Sequence, residues 1–410
     1  VNSVLFVDDE EHILKGLKLA FHGARSSMGV HTASSGEEAL GLLDQQPDIA
    51  MIVTDLHMPK MDGIELLKTT MHDHPDVVRC MLSGNLTGES TIQASQYAHQ
   101  MLTKPCETNH LRDVVIRALA VRKRLDEFSL KDELLSLGGL PSIPTQYSQI
   151  VAELDAPKPS MDRLTEIIRR DPAMSLKVLQ VVNSHSTAGH EISDIDLAVR
   201  YIGLDSLKSF VLMAELFTGQ DDLESQFGFN TDDLWNHGIQ VGEYASAIAE
   251  TETEDPEILG RCYTAGLLHD LGVLFFASKL PERFAEALKH AEESKKTLMQ
   301  AEKDLFGATH AEIGGFLLDL WGLAMPVVNA ITYHYFPSGA PEEVYMVHEH
   351  MEVDPLLVVH VANYFSEDQD SMGDDAISLS ADVDYLEKMH SLEKLDHWWD
   401  VCQECRTSSS

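Results

Sequence analysis

No run of this chain reaches the roughly 18–20 consecutive apolar residues that a membrane helix needs, which argues against a helical membrane span. Cysteine is scarce. Cys80, Cys106, Cys262, Cys402 and Cys405 are scattered, which fits a reducing compartment better than a disulfide framework. Cys402 and Cys405 form one CxxC pair, and two ligands fall short of the four that a structural zinc site uses. Basic residues are outnumbered, with 30 Lys and Arg against 67 Asp and Glu and a formal net charge of −37. A field of that sign repels phosphate backbones, and no basic patch with interleaved aromatics offsets it. Direct nucleic-acid binding is disfavoured, and proteins or small ligands are the expected partners. A strand-like run begins almost at the first residue, so no secretory signal is expected, and the missing initiator Met implies processing or trimming. The expected location is cytoplasmic.

What is present is enough apolar material, 44% of 410 residues, to build two or three domains with real cores. The first is organised around Ile49 to Gly63, IAMIVTDLHMPKMDG. An Ile/Val/Met run ending in Asp55, then a Pro-containing turn and Gly, is a buried strand presenting one carboxylate at its C-terminal end. Val4 to Val7 is a second such strand, ending in Asp8-Asp9-Glu10. Val77 to Leu82 ends at Ser83-Gly84, and the fifth strand ends at Thr103-Lys104-Pro105. Helical stripes lie between them, with Ile13, Leu14, Leu17 and Phe21 in one and Ala39, Leu42 and Leu43 in another. Five strands alternating with helices predict a doubly wound parallel α/β sheet, in which ligands bind at the strands' carboxyl ends.

Those ends collect Asp8, Asp9, Asp55, Ser83 and Lys104. Three carboxylates at one edge repel one another unless a hard cation such as Mg2+ joins them. A carboxylate beside Mg2+ can act as nucleophile towards a phosphoryl group, with a lysine and a hydroxyl stabilising its oxygens. On Asp8-Asp9, Asp55 to Pro59, Met61-Asp62-Gly63, Ser83-Gly84 and Lys104-Pro105, residues 1–122 resemble a response-regulator receiver, a flavodoxin-like domain. The resemblance implies that Asp55 accepts phosphate from a sensor histidine kinase. It further implies that Asp9, Asp55 and the His57 carbonyl bind Mg2+, with Asp8 acting through water. Members of that family carry Tyr or Phe three residues before the lysine; here the position is Met101, which puts the aromatic readout in doubt.

Residues 108–137 read as a connecting signalling helix. Leu111, Val114, Val115, Ala118, Leu119, Val121 and Leu125 recur at helical spacing towards Leu134-Leu135, either as one helix or as two with a break near Ser129. Arg122-Lys123-Arg124 reads as a solvated helix end. Gly138-Gly139 and Pro141 to Pro144 then mark a boundary. Beyond it, helical stripes follow one another without alternating strands, so residues 138–400 are expected to be all-α.

Histidines fall at recurring points of that region. His237 lies in a helix with Val241, Ala245 and Ile248. His269-Asp270 lies in an apolar helix, His310 in GATHAEIGGFLL, His334 in VVNAITYHYF, and Asn363 in a further helix. Imidazoles and carboxylates on packed helices can build a metal site, and an adjacent His-Asp pair on an apolar helix needs a ligand or hydrogen-bond partners. On Leu140 to Pro144, Ile167 to Pro172, Leu179 to Ser184, Ala198 to Leu204 and Leu267 to Gly272, the region resembles the HDOD family, a branch of the HD superfamily. HD enzymes hold a metal with His, His-Asp and a distant Asp, which map to His237, His269, Asp270 and Asn363. His310 and His334 match second-metal positions of HD-GYP relatives that hydrolyse cyclic di-GMP. The cage so implied suits Mn, Fe or Zn. Three departures weaken the catalytic reading. Asn363 lacks the charge of Asp, Tyr335 replaces a His, and Val273 replaces a Lys.

After position 364 comes an acidic stretch (Glu367, Asp368, Asp370, Asp374, Asp375), then a helix through Tyr385, Leu386, Met389 and Leu392. Trp398-Trp399 either dock that end on the body or form a partner surface, docking being favoured. Residues 401–410 are expected to be a flexible tail. The whole reads as a two-component response regulator whose HDOD module acts as a non-catalytic output towards a downstream signalling protein, with homodimerisation left open. The alternative is a metal-dependent phosphohydrolase switched by the receiver.

Overall fold

The computed structural model describes residues 2–22, 28–84, 94, 96–125, 130–135, 149–150, 152–154, 156, 158–184, 192–202, 207, 231–344, 351–367 and 381–408. The N-terminal domain is a five-stranded sheet of β1 (Ser3–Val7), β2 (Gly29–Ala33), β3 (Ile49–Asp55), β4 (Val78–Ser83) and β5 (Gln100–Thr103), in the order β2-β1-β3-β4-β5. Every pairing is parallel. Helices α1 (Glu11–His22), α2 (Gly36–Gln45) and α3 (Gly63–Asp73) supply crossovers. Ser35 caps α2 by accepting from Glu38 N, and Asp62 caps α3 by accepting from Glu65 N. Both strand faces are apolar, as a sheet covered on two sides requires. Leu5, Val7, Ile52 and Met81 pack on one side with Met101, which is buried. Val4, Phe6, Met51 and Val53 pack on the other, in an apolar cluster that continues without interruption into the helical domain.

The connecting segment comprises α4 (Thr108–Leu125) and α5 (Lys131–Leu135); residues 126–129 lie outside the described set. The basic triplet at the end of α4 differs from its expected solvated role. Arg122 is 7% exposed and holds the Asp76 carboxylate at 2.8 Å, and Arg124, though half exposed, reaches into the helical domain, while Lys123 is exposed.

The second domain is helical: α6 (Met161–Arg169), α7 (Pro172–Ser184), α8 (Thr231–Glu250), α9 (Pro256–Leu268), α10 (Leu271–Lys279), α11 (Pro281–Ser294), α12 (Leu298–Phe306), α13 (His310–Leu320), α14 (Met325–Tyr333), α15 (Pro355–Glu367), α16 (Val383–Lys388) and α17 (Leu395–Ser408). Helix α8 packs on α9 and α15, α13 on α10 and α14, and α14 on α15, so these helices close around a common centre. The boundary loop at 138–144, positions 203–204, most of 207–217 within the region expected to be all-α, and the acidic stretch 368–375 lie outside the described residues.

Residues 401–408 are helical, where a flexible tail was expected. Cys402 is fully buried, and Trp398, 1% exposed, donates to Thr251 Oγ1 at 3.0 Å, so α17 is docked through these residues. No helix among the described residues is long and apolar enough to cross a membrane.

Candidate functional site

The sheet brings the strand ends together. Lys104 Nζ lies 2.6 Å from Asp55 Oδ1 and 2.7 Å from Asp8 Oδ2. Burial works to lower the Lys104 pKa, but the two carboxylates outweigh it and raise it. The second oxygens are aimed by backbone. Asp8 Oδ1 accepts from Glu10 N and Asp55 Oδ2 from His57 N, both at 2.9 Å. Ser83 ends β4 beside the Asp55 register partner Leu82, and its carbonyl accepts from Lys104 N at 2.7 Å. Asp9 and His57 lie exposed next to this group. The turn after Asp55 folds so tightly that a Cβ on Gly63 would stand 2.2 Å from the Asp55 carbonyl oxygen, so glycine is required there. A hard divalent cation suits these oxygen donors.

In the second domain, His237 comes from α8, His310 opens α13, His334 follows α14, and Asn363 lies on α15. The His269-Asp270 pair is not inside one helix, as the sequence suggested. The chain turns there, with His269 closing α9 and Asp270 preceding α10. That break lets both side chains face the centre. Asp270 Oδ2 lies 3.4 Å from His269 Nε2 and 3.7 Å from His237 Nε2, while Oδ1 lies 3.5 Å from His310 Nε2 and 3.9 Å from His334 Nε2. Two clusters of potential ligands therefore share one carboxylate.

Each imidazole is turned by its outer nitrogen. His269 Nδ1 donates to the Gly266 carbonyl at 2.7 Å, and His334 Nδ1 to that of Ile331 at 2.8 Å. His310 Nδ1 donates to Glu302 Oε2 at 2.8 Å, and His237 Nδ1 lies 3.4 Å from Ser366 Oγ. A carbonyl can only accept, so Nδ1 carries the proton and Nε2 turns inward, as in metal-ligating histidines. His237 and His269 then bring their Nε2 atoms to 3.1 Å, a distance that two lone pairs tolerate only with a proton or cation between them. Asp270 Oδ1 and His334 Nε2 are buried without a hydrogen-bond partner among the described residues. This donor set fits a borderline divalent metal such as Mn, Fe or Zn.

The electrostatics of the protein alone agree. Burial lowers His237 to about 4, assisted by His269, and holds His334 well below the usual range. Burial opposes ionisation of Asp270, but the surrounding histidines prevail and hold its carboxyl well below its ordinary value. Burial also opposes protonation of His269, and Asp270 overcomes it. The side chains of His237 and Asp270 are 24% and 13% exposed, against 2% or less for the other three, so the cage opens on their side.

Glu302 and Ser366 escaped the sequence reading. Glu302, fully buried on α12, accepts from both the backbone N and Nδ1 of His310 at 2.8 Å. Its signal was an acid inside the stripe Leu298, Ala301, Glu302, Leu305. Ser366 backs His237, and the ring of Tyr335 lies 4.2 Å from that of His334. Asn363 sits beside His237, and its side-chain hydrogen bond favours the protonated ring. Val273, where a lysine was sought, is buried in the core. Cys402 and Cys405 belong to neither cluster.

A parallel sheet with an acidic and lysine-bearing edge, joined to a helical domain with a histidine-aspartate cage, defines a class of two-domain signalling protein. Residues 4–116 match the response regulator receiver domain, and residues 140–337 the HDOD domain. The chain is a receiver–HDOD response regulator. It is similar to an uncharacterised protein of Treponema pallidum, at 29% identity over 50% of this chain and 39% of that one. It is also similar to the hydrogenase transcriptional regulatory protein HoxA of Cupriavidus necator, at 29% over 51% and 44%. The transcriptional regulatory protein SrrA of Staphylococcus aureus matches at 34% over 30% and 48%. Among solved structures, the MmoQ response regulator of Methylococcus capsulatus matches at 19% identity over 64% of this chain and 98% of that one, with a TM-score of 0.47. The chain spans about a third to a half of the length of the curated relatives it matches. Receiver domains generally bind Mg2+ and HD-type domains divalent metals.

Proposed function

We propose that this chain is a phosphorylation-controlled switch of a two-component system, in which Asp55 takes a phosphoryl group from a sensor histidine kinase and the HDOD domain passes the change to a downstream signalling protein. The observation that carries this reading is Lys104 bridging Asp8 and Asp55 at the strand ends. One Asp55 oxygen attacks phosphorus, the bond to the donor's leaving group breaks, and an acyl phosphate results. Asp8, Asp9, Asp55 and the His57 carbonyl are suited to hold Mg2+, which supplies charge neutralisation at the phosphoryl oxygens. Lys104 adds a fixed positive charge and Ser83 a hydroxyl donor. Incubation of the full chain with acetyl phosphate and Mg2+ tests this. The expected result is one phosphoryl group per chain, lost with Asp55→Asn and with chelation. Labelling that survives Asp55→Asn would overturn the assignment.

A second reading, a receiver-regulated metal-dependent phosphohydrolase, is favoured by the inward Nε2 atoms around Asp270. His237, His269, Asp270, His310 and His334, with Asn363, would hold a divalent metal that polarises a phosphoester and activates water. The neutral Asn363, Tyr335 and Val273 speak against turnover and for a binding role. Metal content of protein purified without chelator, compared with a His269→Ala/Asp270→Ala variant, and hydrolysis assays on cyclic dinucleotides and nucleotides with Mn2+ or Fe2+ separate the two. Metal without hydrolysis leaves the output non-catalytic.

A further inference from the structure

The receiver grips one helix of the HDOD domain by its far end. Asp319, near the end of α13, is 2% exposed, and its two oxygens are held by Arg117 Nε at 2.5 Å and Arg124 Nη2 at 2.6 Å, both from α4, the helix that leads out of the receiver sheet. Arg117 also donates to the Leu323 carbonyl, and the Arg124 guanidinium lies 5.0 Å over the Phe316 ring. From β5, Gln100 Nε2 donates to the Leu320 carbonyl at 2.9 Å. All these contacts fall on the last turns of α13 and the loop after it.

The first residue of that helix is His310, nine positions before Asp319 and on the order of 13 Å away along the axis. Its start is seated without slack. Glu302 holds the His310 side chain and backbone, and a Cβ on Gly272 would stand 1.9 Å from the His310 carbonyl oxygen. Gly272 follows Asp270 by two residues, so a shift of α13 meets the backbone that carries the shared carboxylate. Lys104, in turn, lies between the two receiver segments that hold α13, four residues after Gln100 and four before α4.

We infer that the receiver controls the histidine cage by holding α13 at its Asp319 end, so that release of this latch changes the setting of His310 and Asp270. Helix α13 is the shared element whose position both sites bias. The inference rests on the cage reading and, for its trigger, on Asp55 as phosphoacceptor. A phosphoryl group on Asp55 draws on Lys104, whose strand and following helix carry Gln100, Arg117 and Arg124.

Amide hydrogen exchange on the full chain tests it with three perturbations: Asp319→Asn, Arg117→Gln/Arg124→Gln, and beryllofluoride with Mg2+ as a stand-in for phosphoryl on Asp55. Both variants are expected to speed exchange severalfold in peptides covering 310–320 and also 266–274, and beryllofluoride to do the same in the wild type. Faster exchange confined to α4 and residues 316–324 would overturn the inference, because the latch would then close the domains without reaching the cage. An effect of Asp319→Asn that the arginine variant fails to reproduce would also overturn it, as a local defect of α13. Both variants acting while beryllofluoride does nothing upholds the latch and counts against the Asp55 reading. Mn2+ titration of the same proteins is a second readout, in which each variant is expected to shift the cage affinity severalfold. A wild type that takes up no metal would sink the cage as a metal site, while the exchange arms still decide whether α13 is coupled.

Discussion

Asp270 faces two pairs of imidazoles with its two oxygens, and each imidazole is aimed by a different acceptor behind it. Most of this was legible in the sequence as His and Asp at helix-compatible positions, because ligating residues declare themselves by type. The acceptors did not. Carbonyls of Gly266 and Ile331 have no sequence signature, and Glu302 looked like one acid among many in a strongly acidic chain. Its position inside an apolar stripe is the trace it left. Glu302 donates no ligand atom of its own to either cluster, so its substitution isolates the aiming effect. Glu302→Gln is expected to keep the fold and to weaken Mn2+ or Zn2+ binding by about 10–100-fold, measured by calorimetry against His269→Ala, which removes binding. Asn363→Asp acts in the opposite sense. It adds a charge beside His237 and is expected to tighten divalent binding, and an unchanged affinity in the same titration would show that position 363 lies outside the metal's reach. Arg122 and Arg124 give the reverse lesson: a basic triplet at a helix end is usually solvated, and only the placement of Asp76 and Asp319 made these two residues structural.

The alternation of strands and helices was readable from periodicity, because apolar runs and turn residues are local signals, whereas the strand order and the half-buried β2 were not. Helix crossings are not local, and here they hinge on glycines. Helices α10 and α13 approach at Gly272, where an added methyl meets the His310 carbonyl at 1.9 Å. Gly272→Ala is expected to cost about 1–3 kcal/mol, through overpacking against backbone that cannot yield, and to reduce metal retention because His310 and Asp270 flank the crossing. Gly41, inside α2, has nothing within 4 Å of an added Cβ. Gly41→Ala is expected to stabilise by about 0.5–1 kcal/mol, from helix propensity alone. Chemical denaturation of the full chain, followed by helical signal, checks both. Equal effects from the two would refute the idea that the α10–α13 crossing requires glycine.

At the scale of the whole molecule, the receiver and the helical domain share one apolar cluster, and polar clasps line its margin. The latch at Asp319 is one. Another ties the connecting segment back to the sheet, where the Leu135 carbonyl accepts from Arg79 Nη2 at 2.8 Å and from His99 Nε2 at 2.9 Å. His99 Nδ1 accepts from Arg79 N at 3.0 Å, so the ring is neutral with its proton on Nε2. Burial holds the His99 pKa well below its ordinary value, and the neighbouring Arg79 adds to the effect. Burial also lowers Arg79, to about 9. The sign of the linkage follows. Unfolded, His99 takes up a proton near pH 6.5; folded, it does so only at much lower pH. The stability it contributes is therefore present above about pH 6.5 and is lost progressively as the pH falls towards the folded value. Acidification from pH 7.5 to 5.5 is expected to lower the unfolding midpoint of the full chain, and His99→Gln, which keeps an acceptor and a donor but cannot titrate, to remove part of that slope. Trp398 and Trp399 pack against Thr251 and Phe365 rather than against the clasp, so their near-ultraviolet signals can separate loss of the connecting clasp from global unfolding. If His99→Gln leaves the slope between these two pH values unchanged, the clasp is not the acid-sensitive element of the junction.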